Sequence, residues 1–97
     1  MAGMGIEGVI WLRAVVDKLA YKHNVETSEV EEVLNSRPKI RRVEKGKRRG
    51  EDVYMALGQT DAGKYLTVLF ILKPDDQALI LSARNMAPKE RKRYGQK

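Results

Sequence analysis

Ninety-seven residues with 42% apolar side chains are enough for one domain that folds without disulfides or a structural metal. The absence of cysteine and the single histidine exclude disulfide frameworks and thiolate metal sites, and leave a zinc site short of its usual ligands. The net charge of +6 is unevenly spread, with fourteen of nineteen basic residues lying in Arg37–Arg49 and Arg84–Lys97.

The glycine-rich start, Met1–Gly8, has no basic region, apolar core and cleavage site in series, so no secretory signal is expected and the stretch reads as frayed. Ile6, Val9, Ile10 and Trp11 make a short first strand at most, weakened by Gly5 and Gly8. Leu12, Val15, Val16 and Leu19 then fall at helical spacing, predicting a helix over Leu12–Lys22. His23 ends its apolar row. Asn24, which tolerates the left-handed conformation, stops it. A second helix should run from Thr27 or Ser28 to Leu34, with Ser28 and Glu31 as a capping box and Val30, Val33 and Leu34 buried. Pro38 lies beyond its end.

From Ile40 the period changes to two. Ile40–Val43 is too charged for a central strand and reads as an edge strand. Gly46–Gly50 turns the chain into a strand at Val53–Leu57, and Asp61-Ala62-Gly63 makes a hairpin turn. Tyr65–Leu72 is a central strand, far too short to span a bilayer. Lys73–Asp76 turns again, and Ala78–Ala83 is the last strand, breaking at Ser82-Ala83-Arg84. Pro88 opens a final basic helix with Ala87 in the cap position. Trp11 and Phe70 are assigned to the core. The expectation is an α+β domain: about four antiparallel strands, two N-terminal helices packed on one face, and a short C-terminal basic helix. Its C-terminal residues, 95–97, are expected to be a flexible tail.

Segregated positive charge points to a polyanionic partner, nucleic acid first and an acidic protein or membrane surface behind it, with a solvated charged surface as the alternative. No phosphate-cradling glycine loop or metal-site helix pattern is present, so no cofactor is expected. The chain reads as soluble and cytoplasmic, with no membrane partner.

Six blocks stand out in order along the chain: Lys22-His23-Asn24-Val25, Glu31-Glu32-Val33-Leu34, Arg49-Gly50-Glu51-Asp52, Ala56–Gly63, Ile80-Leu81-Ser82-Ala83-Arg84 and Lys89–Tyr94. Together, and in this order, they resemble the BrnT toxins of type II toxin–antitoxin systems. The resemblance implies a small RelE-like ribonuclease inhibited by an antitoxin, a dimeric antitoxin assembling two copies of the chain. Three positions depart from the family pattern: Leu12-Arg13 where an acid often follows the first tryptophan, Asn85 for aspartate, and Ala87 for threonine or serine.

RNA cleavage without metal requires a base for the 2′-hydroxyl, an acid for the leaving 5′-oxygen and cations for the phosphorane. Arg84, delivered by an apolar strand, is the first candidate phosphate clamp; the alternative is an ion pair with Glu90 or with a carboxylate on the sheet. Arg91 and Tyr94 share one side of the last helix, and Tyr94 either stacks on a base, donates a proton or anchors the helix. His23 is a candidate base or a helix-end donor. Glu51 is a candidate base, or the partner of Arg48 or Arg49. Arg49, Lys47, Arg48, Lys89, Lys92 and Arg93 are candidate RNA contacts.

Overall fold

The computed structural model describes residues 5–48 and 50–96. Strand β1 (Gly8–Ile10) leads into helix α1 (Arg13–Lys18), which continues as a π-helical turn over Leu19–His23. Helix α2 (Thr27–Asn35) follows, then β2 (Lys39–Glu44), β3 (Val53–Gln59), β4 (Tyr65–Leu72), β5 (Gln77–Asn85) and α3 (Pro88–Gly95).

The sheet order is β1-β5-β4-β3-β2. Three hairpin connections make β2 through β5 antiparallel, as the turn signals predicted, and β2 is indeed an edge. The expectation of about four antiparallel strands needs correcting: β1 is a fifth strand, parallel to β5, with Val9 opposite Ala78. Its direction is not set by a hairpin. α1 and α2 carry the chain from the β1 edge to the opposite β2 edge, so β1 is free to enter alongside β5.

The sheet has two unlike faces, because successive side chains of a strand point opposite ways. On one face Ala56, Leu66, Val68, Phe70, Ala78, Ile80 and Ala83 close against Leu19, Val25, Val30 and Val33 of the α1–α2 layer. Burying this apolar surface is the main stabilising term of the fold. Gly58 lets α2 approach closely, since a Cβ there would lie 2.8 Å from Val33 Cγ1. Trp11 is only half-buried; it packs on the edge of the core and donates to Glu31 Oε2 at 3.2 Å. Phe70 is fully buried, as expected.

The opposite face carries α3 and not a further helical layer. α3 lies over the row formed by Leu57, Thr67 and Arg84, paired across β3, β4 and β5. Beyond it the sheet is partly open over Leu69, Ile71 and Leu79, and Leu81 is exposed.

Which face Arg84 occupies is decided by a β-bulge. Phe70 pairs with Ile80 but Leu69 pairs with Ser82, leaving Leu81 as an extra residue. Before the bulge the even positions Ala78 and Ile80 face the core; after it Ala83 does, and Arg84 turns to the α3 side. The strand therefore does not break at Ser82-Ala83-Arg84 but shifts phase and runs on to Asn85.

Several ends match their signals. Asn24 caps the π-helical turn at φ 54° in the left-handed region, Gly63 turns the β3–β4 hairpin at φ 93°, and Pro88 opens α3 after Ala87. Others do not. Leu12 precedes the first helical turn and is 49% exposed, so it is not part of the buried row. The cap of α2 is Glu26, whose N–H donates to Glu29 Oε1 at 2.9 Å, so the box stands two residues before the expected Ser28–Glu31 pair. Of the stretch expected to be frayed, Gly8 lies in β1 and Glu7 N–H bonds Asp76 O at 2.8 Å; Met1–Met4 lie outside the described residues. The C-terminal tail behaves similarly: Gln96 N–H bonds Arg93 O at 3.2 Å, and Lys97 lies outside the described residues.

Candidate functional site

Arg84 emerges beside Thr67 on the α3 face, and Glu90 rises to meet it from the first turn of α3. The two form a forked pair, Nη1 to Oε1 at 2.6 Å and Nη2 to Oε2 at 2.7 Å. Glu90 Oε1 also accepts from Thr67 Oγ1 and from the Ala87 N–H, both at 2.8 Å. The last contact is half of a capping box, and it serves the helix start where Ala87 has no side-chain oxygen to offer. These bonds, Arg84 foremost, hold the Glu90 carboxyl down at about 2, against the opposing effect of burial. The same pairing raises Arg84. Of the two roles that the sequence leaves open for Arg84, the geometry realises the ion pair with Glu90.

The same helix is fastened at its other end. Lys39 Nζ, from β2, donates to the carbonyls of Arg93 and Gln96, groups that a helix C-terminus leaves without partners. With both ends held, α3 presents Glu90, Arg91 and Tyr94 toward the sheet side and Lys89, Lys92 and Arg93 to solvent.

Arg91 is placed differently from Arg84. Its Cζ lies 3.6 Å above the ring centroid of Tyr65, the first residue of β4. Tyr94 meets the same ring edge-on, centroids 5.9 Å apart and planes at 77°. Arg91 and Tyr94 are thus brought together as their spacing predicted, with Tyr65 between them and the sheet. Tyr65 was absent from the sequence-derived candidates. The available signal was register: Gln59 pairs with Tyr65 and Leu57 with Thr67, which sets Tyr65 on the same face as Arg84.

The other candidates lie apart. His23 ends the helical layer on the opposite face, half-buried; the next residue, Asn24, accepts at its carbonyl from Lys64 Nζ at 2.7 Å. That bond brings His23 to the end of the sheet where Tyr65 begins, but from the other layer. Glu51 does not reach Arg84. It precedes β3, whose first residue Val53 stands four positions before Leu57 in the Arg84 row, about 13 Å along the strand. Its carboxylate accepts from the Arg48 N–H at 3.2 Å, bracing the basic turn from within. Nearby, Asp52 accepts from the Gly46 N–H at 2.8 Å and pairs with Arg42 at 3.3 Å, and these bonds lower its pKa in that order of importance. Lys47 and Arg48 are exposed on this turn, at the far end of the sheet from α3; Arg49 lies outside the described residues.

Among the described residues no three histidine, aspartate or glutamate side chains gather as metal ligands would. No helix among them is long and apolar enough to cross a membrane.

The chain is thus a small, basic α+β domain that seats arginine and tyrosine together at one end of a mixed sheet. The model of the BrnT family, ribonuclease toxins of type II toxin–antitoxin systems, matches residues 13–90, and the chain belongs to that family. The matched span holds His23, Glu51, Arg84 and Glu90, whereas Arg91 and Tyr94 follow it. Family membership implies RNA as substrate and an antitoxin as partner. No individually curated protein matches the chain.

Proposed function

We propose that the chain is a metal-independent endoribonuclease toxin, neutralised in the cytoplasm by a cognate antitoxin, and that it grips RNA at the end of the sheet beneath α3. One observation carries the siting. Arg91 Cζ lies over the Tyr65 ring, 3.6 Å from its centroid, and a cation held by a ring face keeps N–H groups available to a phosphate. Arg84, committed to Glu90, anchors the helix that carries Arg91.

In the proposed reaction a base removes the 2′-hydroxyl proton, and the 2′-oxygen attacks the neighbouring phosphorus. Arg91 holds the non-bridging oxygens as their charge grows. The bond to the 5′-oxygen breaks, an acid protonates that oxygen, and a 2′,3′-cyclic phosphate remains. Tyr94, which meets the same Tyr65 ring as Arg91, is the first proton-transfer candidate. His23 reaches this end of the sheet from the other layer and is the second. Lys89, Lys92 and Arg93 attract the rest of the strand without reading it. The helix-covered sheet agrees with the RelE-like fold that the resemblance implies, and a dimeric antitoxin would join two copies.

A second reading, a relative that binds RNA or antitoxin without cutting, is favoured by the forked Arg84–Glu90 pair, which occupies the guanidinium first expected to clamp phosphate. Purified protein incubated with labelled single-stranded RNA in excess chelator separates the two. Cleavage that persists in chelator and falls about 100-fold in Arg91→Ala supports the toxin reading; binding without cleavage under every metal condition supports the second.

A further inference from the structure

We propose that Tyr65 is a positioning residue for this RNA-binding edge: its ring orients the Arg91 guanidinium toward the phosphate. The inference rests on the reading that Arg91 contacts RNA. Three features single Tyr65 out. Its backbone is fixed to the sheet, paired with Gln59 on one side and accepting from the Met86 N–H at 3.1 Å on the other, so the ring has a rigid seat. It contacts both functional side chains of α3, Arg91 over its face and Tyr94 at its edge. It also stands outside the main core cluster, half-buried at the sheet end, so the fold does not depend on it as it does on Leu66 or Phe70.

The chemistry explains why a ring is suited here. A carboxylate would orient a guanidinium by occupying its N–H edge, as Glu90 does with Arg84. An aromatic face holds the cation from above and leaves the planar donor fork open. The two arginines of this face are therefore held by opposite means, one closed to a phosphate and one open. The fastening of α3 at Glu90 and Lys39 fixes the helix axis but not the long, exposed Arg91 side chain. The Tyr65 ring restrains its end.

The test uses the full chain, a mixed-sequence single-stranded RNA for cleavage and its 2′-O-methyl counterpart for binding. Tyr65→Leu is expected to lower kcat/KM about 5- to 10-fold, with thermal stability close to that of the parent. Tyr65→Phe, which keeps the ring, should restore nearly all of it. Arg91→Lys keeps the charge on an exposed position but loses the flat stack, so it should show a comparable loss even if Tyr65→Leu folds poorly. The decisive arm is the pair: in an Arg91→Ala background, Tyr65→Leu should cost nothing more. An equal loss in that background, or full activity in Tyr65→Leu, overturns the proposal. Unchanged cleavage and binding in Arg91→Ala alone would instead overturn the siting of the RNA edge, and the proposal with it.

Discussion

The two basic segments look alike as sequence and are unlike as structure. Arg37–Arg49 contributes an edge strand and a turn whose described cations are exposed, although Lys39 reaches α3 and Arg42 pairs with Asp52; the turn is braced by Glu51 and Asp52 through backbone N–H groups. Arg84–Lys97 contributes a helix tied down at both ends, with one arginine locked in a fork and another laid on a ring. Two runs of positive charge thus yield a mostly diffuse field in one place and fixed donors in the other. Long-range attraction needs only the first; holding a phosphate in a set geometry needs the second.

The comparison can be broken at several points. Arg91→Ala should have the largest effect on cleavage, about 100-fold in kcat/KM, whereas the double change Lys47→Ala with Arg48→Ala should cost only a few-fold. The two also differ in kind. The turn variant should lower the salt slope of RNA binding by about 1 to 1.5, so a salt titration distinguishes a diffuse contact from a fixed one. An equal loss of cleavage from both would erase the distinction.

Next in size is the lock on α3. Glu90→Ala leaves a half-buried Arg84 without its partner and frees the helix start, and should destabilise the protein by about 2–3 kcal/mol. Thermal unfolding would show this as a fall of about 10 °C or more in Tm. Replacing both partners, as in Arg84→Leu with Glu90→Leu, should recover part of the loss.

The same lock sets a pH window. The Glu90 pKa is depressed from 4.5 to about 2 by Arg84, the Ala87 N–H and Thr67. Its contribution is therefore fully present above about pH 4.5 and is lost as pH falls toward 2. Glu29, lowered by the Glu26 N–H and then by Lys64, has the same sign. Glu90→Gln should flatten the acid limb of stability measured by denaturant titration across that window. The smallest effect is expected at Leu81→Ala: the side chain is 37% exposed and outside the core, so stability should change by less than about 1 kcal/mol.

Much of this molecule is legible from spacing alone. Asn24, Gly63 and Pro88 mark their ends because each is suited to a backbone conformation or position that most residues disfavour. The pairing of Arg84 with Glu90 was visible among the alternatives, beside a phosphate and a carboxylate on the sheet, since a strand end and the first turn of the next helix lie close in the chain. What stayed hidden was side-chain direction. Gln77–Asn85 is apolar on both faces through most of its length, so it carries no alternation from which a bulge could be read. The parallel docking of β1 was hidden too, because three residues with a glycine carry almost no strand signal. Tyr65 looked like one more apolar residue in a central strand, and only the hairpin register shows which way its ring points.

The extra residue at Leu81 has a consequence for how this chain tolerates change. In β5, positions of even number carry the core up to Ile80 and positions of odd number carry it from Ala83 onward. A scan of polar substitutions along the strand should show intolerance reversing parity across the bulge. Deleting one residue between Ile80 and Ala83 would remove the bulge and restore a single rhythm, with Ala83 still on the core face and Arg84 still on the α3 side. The bulge is thus the one place in this strand where a residue can be lost without turning the arginine round.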